Sequence, residues 1–193
     1  MGGPTLYFLA GPNGAGKSTF YEAFFKDTGL AFVNADQITS ALGISTTESS
    51  AATDNVRRHL MEERVSFITE TVFSDPVGAK LQFLRDAIAS GYDVTLIYIG
   101  IADAFLSEAR VIQRVQAGGH DVPTERLERR FTQSLKNLIE AMAFVPAVHI
   151  YDNSDCIARP FRLVLTLRHG VIEFEANPLP AWLSSAVRGA GAS

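Results

Sequence analysis

The chain has 193 residues, of which 47% are hydrophobic and 20% charged, and its formal net charge is −4. This length predicts a single domain over residues 1–193, and the acidic balance argues against a nucleic-acid-binding surface. No run approaches the roughly 20 apolar residues of a membrane span, and the N-terminus shows no signal-peptide pattern. With Cys156 as the single cysteine, the composition predicts a cytoplasmic protein that binds neither membranes nor nucleic acid.

The predicted elements begin with an apolar strand at residues 5–10, which leads into a glycine-rich loop and a helix. The loop, residues 11–18, has the sequence GPNGAGKS and fits G-x-x-x-x-G-K-[ST] at each fixed position. Backbone N–H groups of such a loop converge on phosphate oxygens, so a nucleoside triphosphate site is predicted. Lys17 is expected to reach the β- and γ-phosphates, and Ser18 to bind Mg²⁺. The predicted nucleotide-binding residues here are Gly11, Pro12, Asn13, Gly14, Ala15, Gly16, Lys17, Ser18 and Thr19.

Strands and helices alternate after the loop. The next strands are predicted at residues 30–36, 66–70, 94–99 and 147–151, and the helices between them at 48–63, 76–90, 103–116 and 124–143. Thr47 and Ser50 are candidate caps for the first of these helices, with Glu48 misplaced for a capping box. The pattern predicts a three-layer α/β sandwich with a mainly parallel sheet and helices on both faces.

The C-terminal part of the chain departs from this alternation. Residues 161–167 and 171–176 predict an antiparallel hairpin, and residues 181–193 predict a short amphipathic turn followed by a frayed tail. Ligands of parallel α/β sheets bind at the carboxyl ends of strands, where Asp36 and Glu70 are expected. Asp36 is predicted to end the strand that neighbours the first one.

Missing signatures narrow the class of nucleotide-binding protein. The chain has no N-K-x-D sequence, which argues against a GTPase, and no Leu-Ser-Gly-Gly-Gln-like segment, which argues against a transporter ATPase. No hydrophobic run ending in Asp-Glu follows the loop, which disfavours motor ATPases. A small phosphotransferase remains; it needs an acidic group to accept a proton from the acceptor hydroxyl and cations to neutralise the transferred phosphoryl group.

Five segments resemble the zeta-toxin-like group of P-loop kinases. They are residues 11–18, Asn34-Ala-Asp36, Glu70-Thr-Val-Phe-Ser74, residues 110–123 with the sequence RVIQRVQAGGHDVP, and Tyr151-Asp-Asn-Ser154. The resemblance covers residues 5–155 and implies a P-loop kinase fold and a small kinase that uses ATP and Mg²⁺. In zeta toxins the phosphate acceptor is the 3′-hydroxyl of UDP-N-acetylglucosamine. An antitoxin protein is a candidate partner.

The resemblance assigns the acidic residues to the chemistry. Asp36 matches the aspartate that contacts the acceptor hydroxyl as general base; the alternative is a helix cap before Gln37. Glu70 matches an acidic residue that contacts substrate, and it is alternatively placed to act on Mg²⁺ through water. Thr71 and Ser74 lie beside it and are expected to contact the acceptor.

The resemblance also implies a lid around residues 114–130. Arg114 matches a phosphate-binding arginine, and Arg130 is expected to supply a second one; the alternative for both is a solvent-facing cation. Arg110 is expected at the nucleotide face. Asn153 lies in a segment that is expected to frame the adenine pocket or to form a plain turn. His120 is expected to contact phosphate or to cap the following helix.

One departure from the family leaves the acceptor open. Zeta toxins carry a longer segment with an arginine after the third-strand glutamate, whereas Glu70 is followed here by Thr-Val-Phe-Ser-Asp-Pro. The small-molecule acceptor is therefore either a nucleotide sugar such as UDP-N-acetylglucosamine or another small hydroxylated metabolite. A second hypothesis is an ATP-binding or ATP-hydrolysing switch, or a toxin–antitoxin component, that acts through a protein partner.

Overall fold

The computed structural model describes residues 2–116 and 124–190. Its strands are β1 (Thr5–Ala10), β2 (Ala31–Val33), β3 (Phe67–Thr71), β4 (Asp93–Gly100), β5 (Ala147–Asp152), β6 (Arg162–Arg168) and β7 (Val171–Glu175). Its helices are α1 (Lys17–Phe24), α2 (Ala35–Leu42), α3 (Thr46–Glu62), α4 (Ala79–Ala89), α5 (Ala104–Gln116), α6 (Thr124–Met142) and α7 (Ala181–Ala190). Every predicted strand is present, with boundaries that differ from the prediction by at most three residues.

The seven strands form one sheet in the order β2-β3-β1-β4-β5-β6-β7. Pairing is parallel from β2 to β5, and antiparallel from β5 to β6 and from β6 to β7. The mainly parallel sheet and the C-terminal hairpin are thereby confirmed. Because β1 lies between β3 and β4, the loop after β1 opens at the middle of the sheet edge, where parallel α/β proteins bind ligands.

Helices cover both faces of the sheet, and β1 shows why its sequence is apolar throughout. Successive side chains of a strand point to opposite faces. Leu6 and Phe8 belong to a buried cluster with side chains of α4, α6 and α7. Leu9 belongs to a second buried cluster, which includes Phe20 of α1 and, at its margin, Leu106 of α5. The sandwich therefore has three layers, as predicted.

The structure corrects the prediction for residues 30–36. Strand β2 ends at Val33, and Asp36 lies in the first turn of α2 rather than at a strand end. The reason is local, since the Asn34 side chain accepts hydrogen bonds from the backbone N–H groups of Asp36 and Gln37 and so begins a helix. The neighbour of β1 is also β3 and not β2.

Two further corrections concern helix boundaries. Helix α3 begins at Thr46, so the expected cap positions Thr47 and Ser50 lie inside it. Ser45 is the cap, and it forms a reciprocal capping box with Glu48. The predicted turn after residue 180 is the ten-residue helix α7, which Trp182 and Leu183 anchor to the core. Within the described ranges, none of the helices combines the length and apolarity that a bilayer crossing requires.

Candidate functional site

The glycine-rich loop follows β1 and needs its glycines for two reasons. Gly14 and Gly16 have φ angles of 69° and 91°, a left-handed conformation that side chains disfavour. A Cβ atom on Gly14 would lie 2.9 Å from the Ser107 carbonyl oxygen, and one on Gly16 would lie 2.7 Å from Asn153 Nδ2. The loop is thus packed against α5 and against the segment that follows β5.

Lys17 and Ser18 begin α1 and meet Glu70 at the end of β3. Lys17 is 6% exposed, and its Nζ donates to the Pro12 carbonyl oxygen over 3.0 Å and lies 3.9 Å from Glu70 Oε1. Ser18 Oγ donates to Glu70 Oε2 over 3.1 Å. An ammonium group, a hydroxyl and a carboxylate therefore converge at the helix N-terminus, where the helix dipole favours anions such as phosphate.

Asn34 joins the two acidic residues of the site. Its Nδ2 donates to Glu70 Oε2 over 2.8 Å, and its Oδ1 accepts the Asp36 N–H over 2.7 Å at the start of α2. One buried amide therefore fixes both the Glu70 carboxylate and the helix turn that carries Asp36. Sequence analysis recorded Asn34 only as part of a motif, because it predicted a strand through residue 36 and so overlooked Asn34 as a helix cap.

Asp36 is exposed on the wall of the site. Its proposed alternative role as a helix cap is wrong, because Asn34 caps α2. Within the described residues, the hydrogen bonds of Asp36 involve its backbone and not its carboxylate. The carboxylate is therefore available to a ligand.

A cleft of about 960 Å³ opens over the loop and extends between α2, α3 and the segment after β3. It brings together most of the predicted site residues, which are Asn13, Gly14, Gly16, Lys17, Ser18, Thr19, Asp36, Glu70, Thr71, Ser74, Arg110 and Arg130. Gly11, Pro12, Ala15 and Asn153 are not part of its lining. One cleft thus holds both the residues predicted to bind nucleotide and those predicted to contact the acceptor.

Asn153 binds the backbone of the phosphate loop, and Arg110 binds the backbone of the segment that contains Asn153. Arg110 Nη1 donates to the Asn153 carbonyl oxygen over 2.9 Å, and Nη2 donates to that of Ser154 over 3.0 Å. Asn153 Nδ2 donates to the Ala15 carbonyl oxygen over 2.8 Å, and its Oδ1 accepts the Phe161 N–H over 3.2 Å. Both side chains bind protein backbone, which gives them a positioning role. A direct contact of either with nucleotide stays a prediction.

A buried arginine that sequence reasoning missed supports Glu70 from below. Arg57 of α3 donates to Thr69 Oγ1 over 2.6 Å and to the Glu70 carbonyl oxygen over 3.0 Å. Asp54 Oδ1 accepts from both Arg57 Nη1 and Lys80 Nζ at 2.7 Å. Burial lowers the pKa of the Arg57 guanidinium. For Asp54, burial pushes the pKa up, but Lys80 and Arg57 outweigh this and hold the pKa below its ordinary value.

The predicted lid is described only at its two ends. Arg114 lies in α5, but its side chain is outside the described part of the structure, and His120 lies in the undescribed range 117–123. Arg130 lies in α6 and lines the cleft. The structure therefore places one of the two expected lid arginines at the site and leaves the other as a prediction.

The polar groups of the cleft fit a magnesium ion held largely by phosphate and water. Within residues 2–116 and 124–190, no group of three or more His, Cys, Asp or Glu side chains could hold a metal by itself. Ser18 and Glu70 instead offer oxygen ligands beside the phosphate loop. Mg²⁺ commonly keeps several waters and binds through one or two such side chains and substrate phosphates.

Comparison with known proteins identifies the family. The zeta toxin family model matches residues 2–158. The chain belongs to the zeta toxin family. An uncharacterized protein of Haemophilus influenzae is 25% identical over 129 residues, which are 64% of this chain and 90% of that protein. Family membership agrees with the phosphate-loop sequence of residues 11–18.

Solved structures share the fold. A crystal structure of AvrRxo1-ORF1:-ORF2 with ATP superposes with a TM-score of 0.70 at 18% identity, over 97% of this chain and 63% of that one. The PezAT chromosomal toxin–antitoxin system of Streptococcus pneumoniae gives 0.62 at 14% identity, over 96% and 85%. A putative kinase from Chloroflexus aurantiacus gives 0.52 at 17% identity, over 68% and 78%. The chain thus spans less than two thirds of the AvrRxo1 chain it matches.

Proposed function

We propose that this protein is a cytoplasmic, ATP- and Mg²⁺-dependent phosphotransferase that moves the γ-phosphoryl group of ATP to a hydroxyl of a small metabolite. The proposal includes a single kinase-like domain over residues 1–193 with a lid around residues 114–130. The observation that carries it is the convergence of Lys17, Ser18 and Glu70 in one cleft with the available carboxylate of Asp36. A phosphate loop alone serves many nucleotide-binding proteins, whereas an available acidic group in the same cleft suits transfer to a hydroxyl.

Asp36 is the proposed general base. The acceptor hydroxyl gives its proton to the Asp36 carboxylate as its oxygen bonds to the γ-phosphorus, the bond from that phosphorus to the β–γ bridging oxygen breaks, and ADP leaves. The first turn of α2 is fixed by Asn34, so the carboxylate is carried on a rigid element. Such positioning is a large part of phosphoryl-transfer catalysis, because little covalent chemistry is required of the protein.

The phosphates are assigned to the loop and its cations. Lys17 binds the β- and γ-phosphates, and Arg114 and Arg130 neutralise the transferred group from the lid. Ser18 holds Mg²⁺ directly and Glu70 holds it through water, in keeping with the hydrogen bond between these two side chains. When bound, Mg²⁺ supplies positive charge next to the β- and γ-phosphate oxygens.

The acceptor side of the cleft supports a polar and anionic substrate. Thr71 and Ser74 offer hydroxyl groups, while Lys80 and Arg130 line the same cleft. Lys80 is paired with Asp54, so Arg130 is the cation proposed to give an anionic acceptor some of the positive charge that the segment after Glu70 lacks. UDP-N-acetylglucosamine is therefore retained as the first acceptor to test, with other hydroxylated metabolites as the wider class.

A second candidate function rests on the structural neighbours. Two of them are structures of a protein complex or of a toxin–antitoxin system. By analogy, this chain would act as a toxin with an antitoxin protein as its partner, and ATP binding or hydrolysis would control that contact. Neither proposal involves nucleic acid or membranes.

The two functions differ in how ATP turnover responds to an acceptor. ATP consumption by the wild-type protein is measured with Mg²⁺, with and without a small-metabolite extract. A phosphotransferase consumes ATP faster with the extract, and Lys17→Ala abolishes the increase. ATP consumption that does not change with the extract, and changes only when a protein fraction is added, contradicts the phosphotransferase and supports the partner-controlled switch.

A further inference from the structure

The segment after β3 adopts a strained turn on the acceptor side of the cleft. We call residues 71–76 the acceptor turn. Phe73 at its centre has a φ angle of 61°, which bulky residues rarely adopt and which persists only when the surroundings enforce it. The Phe73 ring is fully buried and packs edge-on against Phe8, with ring centroids 5.4 Å apart. Thr71 and Ser74, on either side of Phe73, line the cleft.

One buried amide in α6 holds this turn. Asn137 Nδ2 donates to the Phe73 carbonyl oxygen over 3.0 Å and to the Asp75 carbonyl oxygen over 3.1 Å. Asn137 is 3% exposed, and its Oδ1 accepts from Gln133 Nε2 over 2.9 Å. Every hydrogen-bonding atom of the amide is therefore used, and the two carbonyls it holds flank Ser74. The orientation of the amide follows from its partners, because carbonyl oxygens accept only from the NH₂ group.

The same helix carries Arg130, which also lines the cleft. Arg130 and Asn137 are two helical turns apart in α6 and lie on one face of it. Between them, Ser134 Oγ and Tyr98 Oη form a fully buried hydrogen bond of 3.0 Å that fixes α6 to β4. The position of Arg130 in the cleft and the shape of the acceptor turn are thus set by one rigid helix.

We propose that Asn137 is a positioning residue that holds the acceptor turn, so that Thr71 and Ser74 face the acceptor at a fixed distance from Arg130. This inference rests on the proposed phosphotransfer. Asn137 touches neither nucleotide nor acceptor; it acts through the carbonyl groups of Phe73 and Asp75. Its loss is therefore expected to weaken acceptor binding and to leave ATP binding unchanged.

Two substitutions separate this role from general stability. Asn137→Asp keeps the shape but replaces the donor with a carboxylate oxygen that faces two carbonyls, so the turn is released. Asn137→Leu removes all of the hydrogen bonds of the amide and fills its place with an apolar side chain. Lys136→Ala changes the preceding residue, which is exposed, and is the matched control.

Hydrogen exchange tests the held turn without any ligand. We expect Asn137→Asp and Asn137→Leu to speed amide exchange in residues 71–76 and to leave residues 11–18 unchanged. The proposal is overturned if the exchange rates of residues 71–76 in the variants equal those of the wild type, or if exchange rates rise uniformly along the chain. This measurement stands even where the proposed function fails.

Steady-state kinetics test the consequence, with UDP-N-acetylglucosamine as acceptor or, where it is not phosphorylated, the extract metabolite that gains a phosphate. For both Asn137 variants the KM for the acceptor rises about tenfold, the equivalent of one lost buried hydrogen bond, while the KM for ATP stays within about twofold. Equal changes in both KM values, or a loss of thermal stability alone, contradict a positioning role. A wild-type protein that phosphorylates no metabolite refutes the proposed function instead.

Discussion

Ser18 and Glu70 are joined by a hydrogen bond of 3.1 Å, which connects the start of α1 to the end of β3. Asn34 donates to the same carboxylate oxygen of Glu70 over 2.8 Å, and Lys17 lies 3.9 Å from the other oxygen. Glu70 is thus held by neutral donors and a buried cation from two separate elements. This arrangement leaves it beside the phosphate loop in a fixed orientation, which suits a carboxylate that orders a metal-bound water.

Glu70→Gln tests this assignment. The substitution keeps the shape of the side chain but removes its charge, so we expect phosphotransfer to fall about 100-fold or more and the Mg²⁺ concentration for half-maximal rate to rise. The measurement is a Mg²⁺ titration of ATP turnover. Glu63→Gln, an exposed position at the end of α3, is the control and leaves both values unchanged. A Glu70→Gln protein with the wild-type rate and Mg²⁺ dependence contradicts a metal-linked role.

Asn34→Ala is expected to affect both stability and activity. It removes the cap of α2, at a cost of about 1 kcal/mol in the free energy of unfolding, and it removes a donor to Glu70. Ser45→Ala removes the cap of α3 at a similar cost but touches no proposed catalytic group. Urea unfolding and ATP turnover are measured for both variants. If both lose activity equally, the contact between Asn34 and Glu70 has no special part in turnover.

Asn153→Asp probes the support behind the phosphate loop. The buried Nδ2 donor to the Ala15 carbonyl oxygen becomes a carboxylate oxygen that faces another oxygen, so the loop shifts or opens. We expect the affinity for a non-hydrolysable ATP analogue, measured by calorimetry, to fall about tenfold or more. Asn55→Asp on α3 keeps an acceptor for Arg58 and serves as the control. Unchanged affinity in Asn153→Asp excludes a supporting role in nucleotide binding.

The shared ion pairs of Asp54 predict a pH dependence of stability. The pKa of Asp54 is depressed in the folded state, so the folded protein binds fewer protons at this group than the unfolded chain does. The stabilisation is therefore complete above the ordinary pKa of 3.8 and is lost as the pH falls through the lower folded-state pKa. Because Asp54 is 43% exposed, the contribution is below about 1 kcal/mol.

Asp54→Asn tests the direction of this pH dependence. The free energy of unfolding of the wild type, from urea titrations between about pH 3 and pH 6, should decline more steeply on the acid side than that of the variant. Above about pH 5 the two curves run parallel, because the wild-type carboxylate is fully charged there. Curves that stay parallel through the acid range show that the contacts of Asp54 with Lys80 and Arg57 contribute no charge-dependent stability.

Local sequence patterns predict much of the fold. The phosphate loop was predictable because the glycine spacing, the apolar strand before it and the helix after it all act over neighbouring residues. The strand order was less accessible, since β3 rather than β2 neighbours β1 and only long-range packing decides this. Asn34 and Asp36 are both residue types that cap helices, and the structure shows that Asn34 caps α2.

The long-range contacts that support the site had no local signal. Asn153 bonds Ala15 from 138 residues away, and Asn137 bonds Phe73 from 64 residues away. Such contacts exist only after the sheet has formed, so spacing along the chain does not reveal them. The same holds for α7, whose Trp182 packs against Gly100 so closely that a Cβ atom there would overlap the indole ring. An amphipathic pattern at the end of a chain does not indicate how deeply it will be buried.

Mass spectrometry of a metabolite extract incubated with Mg²⁺, ATP and protein tests the central claim most directly. The wild type is compared with Asp36→Asn, with Lys17→Ala and with Asp27→Asn, an exposed aspartate that does not line the cleft. We predict that one metabolite gains the mass of a phosphate group with the wild type and with Asp27→Asn, and not with the other two. A phosphate adduct that forms undiminished with Asp36→Asn contradicts Asp36 as the base. ATP binding without any adduct in the wild type contradicts the phosphotransferase itself.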